Sequence, residues 1–140
     1  MRLSFHGSRG LSDERVQILI LEAIDKYQPN GIVTHAEPDG VCGLARRIAK
    51  ELAIPLTVHY LNFKYRRGAF EHRSIDVLKD SDRAVFIHDG TSKGTSNEVK
   101  LAVKYGIPHD YHVVKPSPHA SSVGFEIEED WGGLFDEEAK

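Results

Sequence analysis

Short runs rich in β-branched and aromatic residues alternate with segments whose apolar residues recur at helical spacing, and no other feature of the sequence limits the fold as much. "RLSFH" is followed by "LSDERVQILILEAIDKY", where Val16, Leu19, Ile20, Ala23, Ile24 and Tyr27 share one helical face; Ser12 is placed to cap this helix, and Asp13 and Glu14 suit its first turn. "GIVTHA" comes after the turn signal "QPNG", and "GVCGLARRIAKELAI" then sets Val41, Leu44, Ala45, Ile48 and Leu52 on one face. "PLTVHYLNF" and "AFEHRSIDVLKDSD" repeat the pair, with Phe70, Val77 and Leu78 inward. "RAVFIHD" and "TSNEVKLAVKYG" repeat it again, the helix closed by Gly106 and Pro108, and "DYHVV" is a fifth strand. Strands joined through helices run parallel, and a parallel sheet is covered on both faces. The predicted fold is α/β: a single Rossmann-like doubly wound domain, with a mainly parallel five-stranded sheet and helices on both faces.

At 140 residues one domain is expected, and the composition changes after Lys115. The domain is therefore read as residues 1–115. Residues 116–140 read as an acidic C-terminal tail that either lays Phe125, Ile127, Trp131, Leu134 or Phe135 against the domain or a neighbouring subunit, or stays disordered at its end. The net charge is −3 and the 18 Lys and Arg are scattered, so there is no footprint for extended nucleic acid, while a small anionic ligand stays open. A single cysteine, Cys42, rules out an intramolecular disulfide framework and a paired-cysteine zinc motif. "MRLSFHGSRG" is too short and polar for a signal peptide, and no apolar run reaches membrane-spanning length, so no membrane association and a reducing, cytoplasmic location are expected.

In open parallel sheets ligands bind beyond the carboxyl ends of the strands, where helix N-termini present free N–H groups. Three loops belong to that edge: "HGSRG", "HAEPDG" and "HDGTSKGTSNE". The first offers Gly7, Ser8 and Arg9. The third offers Asp89, Gly90, Ser92, Lys93, Gly94 and Thr95 directly before a helix, combining close backbone approach, hydroxyls and a cation, the groups that complement a phosphate. It is not a Walker loop, since the lysine precedes the last glycine. The second loop adds Glu37 and Gly40, the glutamate able to orient a ligand hydroxyl or act as a second acid. Thr95 and Glu98 stand at capping-box spacing, which gives Glu98 a purely local role beside any chemical one. His6, His35 and His88 each end a strand. Their convergence would suggest a metal, but they come from three loops without a ligand-spacing signature, so neither a metal nor a cofactor is expected.

"FEHRSIDVLKDSDRAVFIHDGTSKGTSNE" resembles the core of the SLOG superfamily of Rossmann-like nucleotide-binding proteins, which includes the cytokinin-activating LOG phosphoribohydrolases and the small YspA-like proteins. The "GSR" at Gly7 to Arg9 and the "PDGVCGLARRIAKEL" segment are similar as well, so the resemblance runs from about Leu3 to Val114. It implies nucleotide binding. It also implies that Glu98, in Gly94-Thr95-Ser96-Asn97-Glu98, and Arg73, on the preceding helix, would be the catalytic pair of an N-glycosidic hydrolase: the carboxylate to stabilise a ribosyl cation, the guanidinium to hold phosphate or assist the leaving base. The loop itself reads "GTSKGT" where the LOG enzymes have P-G-G-x-G-T.

Three readings follow. The first is a sensor or sequestering protein that binds a nucleotide or nucleotide-derived molecule; the second is a phosphoribohydrolase acting on nucleoside 5′-monophosphates; the third is a structural or partner-binding domain with a vestigial cleft. A homodimer or larger homo-oligomer is expected in any of them, because Ile18 and Leu21 fall off the main apolar face and Phe63, Tyr65 and Phe70 cluster near a sheet edge.

Overall fold

The computed structural model describes residues 1–115; residues 116–140, with the predicted acidic tail and its aromatic residues, lie outside the described residues. Five strands form one parallel sheet: β1 (Arg2–Gly7), β2 (Gly31–His35), β3 (Leu56–His59), β4 (Arg83–His88) and β5 (His109–Val113), in the spatial order β3-β2-β1-β4-β5. Helices α1 (Glu14–Tyr27), α2 (Gly40–Glu51), α3 (Ala69–Lys79) and α4 (Lys93–Lys104) connect them, and a 3-10 turn, Phe63–Gly68, precedes α3. The predicted doubly wound α/β fold is the one observed.

The two faces differ. Leu3, Phe5, Ile32, Val85 and Ile87 pack with Val16, Ile20, Ala23 and Ile24 of α1 and Val41, Leu44, Ala45 and Ile48 of α2 into the larger apolar core. On the other face Ala84 and Phe86 meet Leu78 of α3 and Leu101 and Ala102 of α4. Side chains alternate along a strand, so Ser4 and His6 of the central strand turn towards this second face, and His6 packs against Phe86 with ring centroids 4.8 Å apart. The first face is mainly apolar, with Thr34 its buried polar residue on β2, and the second is polar beside β1. Since α1 and α2 cover one face and α3 and α4 the other, the winding reverses between β1 and β4. That pair, in register from Leu3↔Arg83 to Gly7↔Ile87, is the topological switch point, where the crevice of such a sheet opens.

Local differences from the sequence reading have simple causes. Asp13, not Ser12, caps α1, its carboxylate accepting from the Arg15 and Val16 amides. Leu52 is exposed because α2 ends at Glu51; Cys42 and Ala49 complete its buried face instead. β3 stops at His59, and the rest of "PLTVHYLNF" runs into the 3-10 turn. Helix α4 begins at Lys93, two residues before Thr95, because the Asp89 carboxylate accepts from the Thr91 and Ser92 amides and folds the chain into the turn that precedes it. Ile18, Leu21, Phe63 and Tyr65 are exposed, whereas Phe70 is partly buried against the second core. Among the described residues, no helix is long and apolar enough to cross a membrane.

The approach of α2 to the switch point depends on Gly7. A Cβ there would stand 2.3 Å from Val41 Cγ2 and 2.4 Å from the Ile87 carbonyl oxygen, and the carbonyl belongs to a strand that cannot move aside. Gly10, three residues on, has nothing within 4 Å of the same position. Gly7→Ala is expected to cost about 1–3 kcal/mol in urea denaturation, whereas Gly10→Ala stays within roughly 0.5 kcal/mol. Equal effects from the two would refute this packing account.

Candidate functional site

The carboxyl ends of β1, β2 and β4 bring together two polar groups of side chains, a more open one around Glu37, where Arg9 is partly exposed, and a fully buried one around Glu98. In the open group, Arg9 from the β1 loop and Arg73 from α3 both donate to Glu37 Oε1, at 3.1 and 2.5 Å. The three come from distant parts of the chain. Phe70 lies one helical turn before Arg73 and carries both guanidinium groups near its ring, their Cζ atoms 5.9 Å (Arg9) and 5.5 Å (Arg73) from its centroid. Arg73 is nearly fully buried, and its Nε has no hydrogen-bond partner among the described residues.

The loop after β4 is held from inside. The Asp89 amide donates to Ser8 Oγ at 3.2 Å, which ties the β1 and β4 loops together across the switch point. Asp89 Oδ1 accepts from the Thr91 and Ser92 amides at 2.8 and 2.7 Å, and Gly90 supplies the left-handed turn with φ +96°. Ser92 is the N-cap residue of α4 but its side chain makes no capping bond, so the first-turn amides at Lys93, Gly94 and Thr95 receive no acceptor from it. Lys93 is exposed at the mouth and Thr95 is buried. Gly40 has φ +70°, and a Cβ there would lie 2.6 Å from the Arg9 backbone, so this glycine lets the β2 loop pass against the β1 loop. His88 is not part of either group: its Nδ1 pairs with the Tyr111 hydroxyl and its Nε2 with the Ser92 carbonyl.

Glu98 answers differently from either sequence reading. It sits two turns into α4 rather than at the third position of its first turn, so no capping box with Thr95 forms. Instead its carboxylate reaches down to the sheet and accepts from His6 Nδ1 at 2.5 Å, with His35 Nε2 3.2 Å away. The other ring nitrogen of His6 meets Ser4 Oγ at 2.8 Å. Serine, histidine and glutamate thus stand in the order of a hydrolase triad. Ser4, however, has no exposed surface, and a nucleophile that no substrate reaches does no acyl transfer. His35 Nε2 is buried with no hydrogen-bond partner among the described residues. A ligand atom from each of His6, His35 and Glu98 lies within 4.8 Å of the other two, so among the described residues these three could hold a metal ion.

Burial pushes His35 down to about 3, against the pull of Glu98 and with His6, Arg73 and His59 acting in the same downward sense. It is an uncharged imidazole at neutral pH. Burial works against ionised Glu98 too, but His35, His6, the hydrogen bond from His6 and the Arg73 charge together hold its carboxyl below the ordinary value. Burial, with Glu98 and Glu37 nearby, raises the Cys42 thiol to about 12, so it stays protonated, donating to the Phe5 carbonyl.

The sequence places Arg9, Glu37 and Glu98 in or beside the loops of one edge, and the resemblance adds Arg73 from the preceding helix; the structure joins Arg9, Glu37 and Arg73 directly, while Glu98 reaches down to the sheet. Sequence reasoning missed the pairing of Glu98 with His6 and His35. A signal was present: Ser4 and His6 alternate with Leu3 and Phe5 in a strand that must be buried on both faces, so their polar side had to meet polar partners. The fold and site define a doubly wound α/β protein with an arginine-lined crevice above a buried histidine–carboxylate cluster. No protein-family model matches the chain, and no curated protein matches it.

The pKa directions fix a pH dependence. Unfolded His35 takes up a proton near pH 6.5 and the folded form does not until about 3, so stability is full above roughly pH 6.5 and falls as the pH drops. Glu98 adds to the loss at lower pH, where the unfolded carboxyl protonates first. Urea unfolding in chelator-containing buffer should show wild type losing about 2 kcal/mol more than His35→Gln between pH 7 and pH 5. Parallel pH profiles for the two proteins would contradict the assignment.

Proposed function

We propose that this protein binds a nucleotide or nucleotide-derived small molecule at the carboxyl edge of its sheet, as a sensor or sequestering protein, and that it belongs with the SLOG proteins its sequence resembles. The observation that carries the reading is the convergence of Arg9 and Arg73 on one oxygen of Glu37 at the switch point. Two guanidinium groups sharing one carboxylate leave a positive excess, and the buried Arg73 Nε is a donor that a ligand oxygen would satisfy. Phe70 supplies an apolar surface beneath them, and the α4 N-terminus adds backbone donors beside Lys93. Phosphate and an attached ring system call for that combination. Gly7, Ser8, Gly40, Asp89, Gly90, Gly94 and Thr95 form the walls and turns that hold these groups in place.

The hydrolase reading has one observation in its favour: Glu98 is kept ionised and feels the charge of Arg73. Its burial and its bond to His6 place it under the crevice, where it acts on a bound ribose only if the ligand or the loop gives it access. Binding without turnover therefore leads.

Thermal unfolding with a panel of nucleoside 5′-monophosphates, the matching nucleosides and inorganic phosphate tests both readings. The midpoint should rise by several degrees with at least one phosphorylated ligand and not with its nucleoside, since saturation at 100 times Kd is worth about 2.7 kcal/mol. Arg9→Gln and Lys93→Ala should reduce that rise by at least half with little change in the unliganded midpoint, both side chains being partly or largely exposed. No selective rise with any phosphate would leave the partner-binding reading in place. Release of free base by wild type, lost in Glu98→Gln and Arg73→Ala, would promote the hydrolase.

The same reading includes self-association through the apolar residues that the fold leaves outside: Ile18 and Leu21 on α1, and Phe63 and Tyr65 on the 3-10 turn. Sedimentation velocity at micromolar concentration should give a homodimer or larger oligomer, with Leu21→Glu or Phe63→Ser shifting it towards monomer. A monomeric wild type would end this part of the proposal.

A further inference from the structure

The buried cluster on the polar face of the sheet has more donor capacity than the hydrogen bonds within it use. Glu98 Oε2 holds His6 Nδ1 at 2.5 Å, while His35 Nε2, 3.2 Å from the same oxygen, is buried and without a hydrogen-bond partner among the described residues. An orphaned buried imidazole nitrogen is costly, by about 1–3 kcal/mol, and a fold that retains one beside a carboxylate and a second imidazole calls for an occupant. Thr34 and Ser74 also carry unpartnered buried hydroxyls, but the imidazole nitrogen of His35 is the unpartnered atom that belongs to a converging set of ligating groups among the described residues.

We infer that His6, His35 and Glu98 form a binding site for a divalent transition-metal ion of the zinc class. The donor set suits such an ion: two imidazoles and one carboxylate are a recurring three-residue zinc set, whose bonds of about 2.0–2.2 Å put neighbouring donors of a tetrahedral ion roughly 3.3 Å apart. The separation of His35 Nε2 from Glu98 Oε2 is already 3.2 Å. The His6 contact must open by somewhat under an ångström, and the two imidazole nitrogens, which lie within 4.8 Å of each other, must settle at the same spacing of roughly 3.3 Å. His6 also has the outer partner that metal-bound histidines need, because Ser4 Oγ stands 2.8 Å from its other nitrogen. On binding, Nδ1 exchanges its proton for the ion, and Nε2 carries the proton that is shared with Ser4 Oγ.

The electrostatics are compatible with one ion. The donor set pairs two imidazoles with one carboxylate, and the Arg73 cation nearby is paired with Glu37. Cys42 is not among the residues whose ligand atoms converge, and its thiol donates to the Phe5 carbonyl. A tetrahedral ion with three protein ligands keeps a fourth position for water or a ligand oxygen. The site lies under the same switch point as the arginine crevice but does not depend on it, and metal retention is measured with no nucleotide present, so either proposal can fail while the other stands.

The test uses the purified full chain, stripped with chelator, supplied with Zn²⁺ and desalted, with bound zinc measured by elemental analysis and the site examined by zinc X-ray absorption and by visible spectroscopy of the Co²⁺ form. Wild type should retain about one equivalent per chain, with imidazole and oxygen but no sulfur in the absorption spectrum. His35→Gln and Glu98→Gln should lose affinity by at least tenfold, Ser4→Ala by roughly 10–100-fold as expected for a lost outer partner, and His72→Gln, an exposed histidine stacked on Tyr65, should match wild type. Wild type retaining no zinc after desalting, undiminished retention in His35→Gln, or sulfur coordination would each overturn the inference. The absorption measurement needs only wild type, so it decides the matter even if a buried variant fails to fold.

Discussion

A carboxylate placed inside a folded domain must be compensated, and the rest of this structure is arranged around that requirement at Glu98. An uncompensated buried charge costs several kcal/mol. Glu98 hangs from α4 and finds its hydrogen-bond donor, His6, on the central strand, which fastens the last helix to the middle of the sheet at the point where the winding reverses. Leu101 and Ala102, on the same helix, pack on Ala84 and Phe86. The apolar contacts set how closely α4 approaches; the carboxylate sets its register along the sheet, because a shift of one residue would point it elsewhere on the helix and leave it unpaired.

That register carries over to the crevice. With α4 fixed, the loop after β4 is held by Asp89, which accepts two amides of its own turn and donates its own amide to Ser8. Ser8 brings the β1 loop along, Gly40 lets the β2 loop press against it, and Arg9 and Glu37 are delivered to Arg73. The glycines here act first as space. Gly7 and Gly40 admit α2 and the β2 loop to within contact of the backbone, and the arginines, exposed or buried, are what those close approaches position.

Much of this was legible in the chain. Alternating strand and helix signals are local, each set by a few neighbouring residues, and five in regular succession leave a doubly wound sheet as the solution that buries them all. The candidate edge followed from the same logic, because loops after parallel strands have only one side of the sheet to occupy, and Arg9, Glu37 and Arg73 do meet there. The capping box at Thr95 and Glu98 was a reasonable local reading that failed for a nonlocal reason: Asp89 organises the preceding turn and starts the helix two residues early, moving both residues into its interior.

The sequence by itself determined the order of elements, their parallel sense, the apolar face of each helix and the edge at which the charged loops gather, since these rest on periodicity and chain connectivity. Only the tertiary structure decided what Glu98 is for. Its partners, His6 and His35, lie 92 and 63 positions away, on two strands whose adjacency depends on the whole sheet being assembled, and a short hydrogen bond is sensitive to tenths of an ångström that no residue pattern encodes. The sharing of Glu37 by Arg9 and Arg73 was settled in the same way, by the meeting of three loops. Local propensity builds the frame; side-chain chemistry between strands and helices far apart in the chain becomes definite only when packing has fixed the distances.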